Sequence, residues 1–145
     1  MSVRRIAMLV LSVAVHGLAV GCYSSTLTPP RTVPVSGSVV HRGGPVPGVL
    51  VKFHPQFDIG RVDFIPYGET GADGKFVLST GASGNGAPQG TYKVTLERFY
   101  VGVDAKDGLE AEVDGLNGAY SDPNKSEWTV TIKSGSNVLD PFELK

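Results

Sequence analysis

From Val33 onward, apolar and polar residues alternate with a period of two, the signature of strands with one buried face. Val35, Gly37 and Val39 alternate with Ser36 and Ser38. After the turn-rich RGGPVPG, Val49, Val51 and Phe53 alternate with Leu50, Lys52 and His54, which places His54 on the outward face. Phe76 and Leu78 follow ADGK, whose Asp73-Gly74 pair suits the positive φ of a tight hairpin. Tyr92, Val94 and Leu96 form a further apolar row. Trp128, Val130 and Ile132 form another, and their common phase predicts that Trp128 is buried between the sheets. Past SGSN, Val138, Phe142 and Leu144 supply a last strand interrupted by Pro141. Proline cannot donate to a ladder, so this strand is expected at an edge or with a bulge.

About seven short strands joined by Gly/Pro turns predict an all-β antiparallel β-sandwich. One segment reads differently. In DGLEAEVDGL, Leu109, Val113 and Leu116 fall at helical spacing with Asp107 as an N-cap, which predicts one short helix within a loop.

The first residues follow neither period. Arg4 and Arg5 precede an apolar run without charged residues, IAMLVLSVAV, over residues 6–15. A bilayer span takes about 20 apolar residues, so the run reads as a signal peptide over residues 1–21 rather than a permanent transmembrane helix. LAVGC, ending at Cys22, resembles the bacterial lipobox, in which small residues precede a cysteine that is diacylated and becomes the mature N-terminus. The resemblance implies lipid attachment at Cys22, the single cysteine of the chain. Several acyl chains would anchor it effectively permanently. The Pro/Ser/Thr-rich residues 22–32 then read as a lipidated tether, and ten such residues reach at most about 35 Å. Tyr23, rather than the aspartate that retains some lipoproteins in the inner membrane, follows the cysteine. Outer-membrane placement is therefore favoured, with the domain of residues 33–145 in the periplasm or at the cell surface.

The stretches VSGSVVHRGGPVPGVLVKFHP, ETGADGKFVLST and GAPQGTYKVTLE resemble the carboxypeptidase regulatory-like domain, a transthyretin-like (prealbumin-like) β-sandwich. The ending AYSDPNKSEWTVTIKSGSNVLDPFELK is similar to that of small uncharacterised bacterial lipoproteins built on it. The resemblance implies a non-catalytic extracytoplasmic module.

Composition narrows the chemistry further. With 13 Lys and Arg against 14 Asp and Glu, the chain lacks the basic excess that nucleic-acid binding requires. GASGNGAPQG lacks the second glycine of a nucleophile elbow after Ser83, and Gln89 stands where a dinucleotide-binding loop needs its last glycine. No catalytic residues and no cofactor are expected. Among weaker signals, Asp104 and Asp107 lead an acidic stretch with Glu110, Glu112 and Asp114, whose oxygens suit Ca²⁺; the expected reading is a solvated loop without metal. Phe57, Phe64, Tyr67 and Tyr100 lie in loop-like segments, where they could cap the core or form a ligand surface. Function is accordingly expected to be that of a membrane-anchored structural or binding module of the envelope, with an envelope protein or glycan as partner. The alternatives are recognition of a glycan or peptide through the loop aromatics and, less favoured, a hydrolase.

Overall fold

The computed structural model of the chain describes residues 31–58, 65–103 and 108–145. The expected signal peptide, Cys22, Phe64, Asp104 and Asp107 lie outside the described residues. Eleven strands follow in order: β1 (Val35–His41), β2 (Gly44–Pro45), β3 (Leu50–Pro55), β4 (Tyr67–Glu69), β5 (Lys75–Val77), β6 (Gly90–Glu97), β7 (Phe99–Val103), β8 (Glu110–Asp114), β9 (Thr129–Ile132), β10 (Asn137–Val138) and β11 (Phe142–Leu144). A 3₁₀ turn, Pro123–Lys125, precedes β9.

The period-two rows become the two walls of a β-sandwich. One wall is the antiparallel sheet β4-β3-β6-β9, in which Phe53 faces Val94 and Tyr92 faces Val130. The other is built around β1. Val39 donates its N–H to the Gly74 carbonyl and accepts from Val46 N–H, so β2 and β5 share one edge of β1. The opposite edge is taken by β10 and β11, both parallel to β1. This sheet is therefore mixed, where short strands joined by Gly/Pro turns predict antiparallel pairs. Periodicity carries no strand direction. The interruption at Pro141 is both an edge and a bulge: Ser36 pairs with Val138 and Val39 with Phe142, so β1 advances three residues while its partner advances four.

Between the walls lie Val35, Val39, Val51, Phe53, Phe76, Leu78, Tyr92, Val94, Leu96, Ile132 and Phe142, all buried. Full burial of one such side chain contributes about 1.5–3 kcal/mol. Phe76 stacks on Phe142 with ring centroids 6.0 Å apart, and Phe53 packs against both. Gly37 makes this possible, because a Cβ there would fall 2.6 Å from the Phe76 ring. The buried Thr70 hydroxyl bridges Val49 N–H and the Val46 carbonyl, and no buried side-chain polar atom among the described residues lacks a partner. Trp128 departs from expectation. It is half-buried at the margin of the core, 5.5 Å from the Phe142 ring and 5.4 Å from Tyr120, because β9 is an edge strand and covers only one side of it.

The second departure is the expected helix. Of its residues, Glu110–Asp114 form β8, paired antiparallel with β7 from Phe99↔Asp114 to Val103↔Glu110. Glu110 and Glu112 then share a hairpin face with Val101 and Val103, while Ala111 and Val113 lie opposite Gly102 and Tyr100. The same letters satisfy both periods over so short a span. Pairing with β7, which continues β6 past Arg98, decides for the strand.

Candidate binding groove at the open end of the sandwich

Four chain segments meet where the β7–β8 hairpin leaves the sandwich. They enclose a groove of about 530 Å³. Its apolar floor comes from Val46, Leu116 and Leu144, and its polar lip from His41, Arg98, Tyr120 and Lys145. No Asp or Glu is among these lining residues.

Each polar group has a determined setting. Arg98 occupies the single position between β6 and β7 and is tied on both sides: its N–H donates to Asp114 Oδ1 at 2.9 Å, and its carbonyl accepts from Gly115 N–H at 2.6 Å. Asp114 also accepts from Leu116 N–H and Gly118 N–H, at 2.9 Å each. Partial burial pulls the Asp114 carboxyl upward, but the three backbone donors Arg98, Leu116 and Gly118 together outweigh it and hold the group below its ordinary range. The carboxylate is thereby turned to the backbone. Among the described residues, the Arg98 guanidinium has no ion-pair partner.

His41, at the end of β1, meets the Leu144 carbonyl through Nδ1 at 3.0 Å. A carbonyl only accepts, so Nδ1 carries the proton and Nε2 is left as the second ring position. Tyr120 Oη accepts the Lys145 backbone N–H at 3.0 Å, which leaves its own O–H to donate. Lys145 Nζ is engaged by Glu127.

The residues singled out by sequence go elsewhere. Phe57 packs edge-on against Tyr92, with centroids 5.3 Å apart, and over Gly90, where a Cβ would fall 2.2 Å from its ring. Gly90 holds φ at 145°, so this is a cap on the core that only glycine permits. Tyr67 is half exposed on the outer sheet face, where it lines a cavity of about 420 Å³ with Leu50, Lys52, His54 and Ile65. Tyr100 is exposed on the hairpin, its ring beside Gly102 and Gly115. Phe57 sits over the start of β6, Tyr67 lies on the edge strand β4 and Tyr100 on the β7–β8 hairpin, so the three are not gathered. Gly90 and Tyr100 are ten residues apart, about 30 Å of extended chain.

On the outer face, His54 Nε2 lies 2.8 Å from Thr95 Oγ1, and Lys52 pairs with Glu97. Burial, then the Lys52 charge, lower the His54 pKa against a smaller opposing pull from Glu97. Of the acidic stretch, Glu110 and Glu112 are exposed on β8, and Asp114 is spent on the hairpin base. No group of three or more metal-ligating side chains occurs among the described residues. No helix among them is long and apolar enough to cross a membrane. Sequence reading had not singled out Arg98 or Tyr120; the only signal was an arginine at the junction where the apolar row of β6 ends.

No family model matches the chain, and no curated protein is similar to it. Among solved structures, it is similar to a 9R-lipoxygenase from Cyanothece PCC8801, with a TM-score of 0.42 and 10% identity over 79% of this chain. The chain spans 16% of that protein. It is also similar to the dioxygenase domain of a dioxygenase carbohydrate-binding protein fusion from Streptomyces sp. SirexAA-E, with a TM-score of 0.37 and 26% identity over 83% of each chain.

Proposed function

We propose that the chain is a lipid-anchored envelope protein whose transthyretin-like β-sandwich serves as a non-catalytic binding module. The groove carries the binding half of this reading. It combines the apolar side chains of Val46, Leu116 and Leu144 with an arginine that has no ion-pair partner among the described residues. Ligand sites have this composition, an apolar lining with a few polar groups that fix orientation. The anchoring half rests on the positive, apolar and LAVGC segments before residue 23. Mass spectrometry of the mature protein tests it: an N-terminus at a triacylated or diacylated Cys22 is expected, and Cys22→Ser should leave the precursor uncleaved. An unmodified N-terminus, or one at another residue, refutes the anchor.

A further inference from the structure

We infer that the groove binds a small organic carboxylate: a monoanionic headgroup held by Arg98 and Tyr120, with an apolar body on Val46, Leu116 and Leu144. This deepens the binding reading above and rests on it.

The donor geometry selects the headgroup. Lys145 pairs with Glu127 and the Asp114 carboxylate is turned to three backbone amides, which leaves the Arg98 guanidinium as the cation of the lip without a side-chain partner among the described residues. A planar guanidinium matches a carboxylate with two parallel N–H donors. Its backbone is fixed on both sides at the hairpin base, which sets where the side chain starts. Tyr120 supplies a third donor, since its oxygen already accepts from Lys145 N–H and its hydroxyl proton has no acceptor among the described residues. One guanidinium and one hydroxyl suit a single negative charge. A phosphate dianion would call for more donors than the lip offers. The volume of about 530 Å³ falls in the range of small-molecule sites, roughly 300–1,000 Å³.

The test uses the full chain in detergent micelles, with 4-phenylbutyrate as probe and 4-phenylbutyramide as its neutral counterpart. Amide chemical shifts of Gly115, Leu116 and Leu144 report occupancy. The acid is expected to give saturable shifts there and the amide none. Arg98→Ala should weaken the acid about tenfold, the loss of one charged hydrogen-bonded contact, and Arg98→Lys should recover part of it. Tyr120→Phe, which keeps the ring on Trp128, should weaken it about threefold. Partitioning into micelles is common to all variants, so it cancels in these ratios. Equal binding of acid and amide overturns the carboxylate assignment while leaving a binding groove intact. Absence of saturable shifts with both probes, or shifts indifferent to Arg98→Ala, overturns the site itself. A tripeptide ending in phenylalanine that binds at least as tightly as the free acid would make the occupant a chain terminus and overturn the small-molecule assignment.

Discussion

Replacing Asp114 by alanine removes one acceptor from three amides at once, those of Arg98, Leu116 and Gly118, each at 2.9 Å. A hydrogen bond to a charged group contributes about 1.5–3 kcal/mol when its loss leaves a buried donor unpaired. Here Arg98 and Gly118 are exposed and water replaces the carboxylate, while Leu116 is half-buried and loses more. The expected cost is therefore that of a lost cap, about 1–2 kcal/mol rather than the sum of three bonds. With a urea slope of about 1–1.5 kcal/mol/M, the unfolding midpoint should fall by about 1 M. Asp114→Asn, which keeps one acceptor oxygen, should recover roughly half. The charge adds a signature in pH. Because the folded carboxyl titrates below its ordinary 3.8, its stabilisation is complete above that value and is lost as pH falls through the folded pKa. Wild type and Asp114→Asn should therefore converge in strong acid. Hydrogen exchange at the Leu116 and Gly118 amides should quicken in the alanine variant. A midpoint shift under about 0.2 M at pH 7, or a wild-type advantage that persists undiminished in strong acid, would refute the role assigned to this carboxylate.

Two further outcomes follow from the packing. Trp128→Ala should cost about 2 kcal/mol, short of the 3–5 kcal/mol for a fully enclosed ring, because one side of the indole is open at the sheet edge; a loss above about 4 kcal/mol in urea unfolding would place it within the core after all. His54 has its folded pKa lowered below 6.5, so the unfolded chain takes up the proton first and stability should decline as pH drops below about 6.5. His54→Gln should flatten that part of the profile. An unchanged slope would mean the burial of His54 has no energetic weight.

Alternation, turn chemistry and Gly/Pro punctuation are properties of neighbouring residues, and they alone determined that this chain forms short one-faced strands. The inward rows Val49-Val51-Phe53 and Tyr92-Val94-Leu96 were legible for that reason, as was the interruption at Pro141. Tertiary structure decided what local letters leave degenerate. Residues 109–116 fit a helix and a strand equally until β7 offers its edge. Trp128 shares the phase of Ile132, yet it is only half-buried, because a strand's place in the sheet sets how much of an inward face is covered. The direction of β10 and β11 against β1 is a matter of where distant segments arrive. The groove belongs wholly to this second class. His41, Arg98, Tyr120 and Leu144 are unremarkable in sequence and share no spacing. They form a site only because the sandwich ends there and the hairpin base, tied by Asp114, brings an arginine into the lining of the groove.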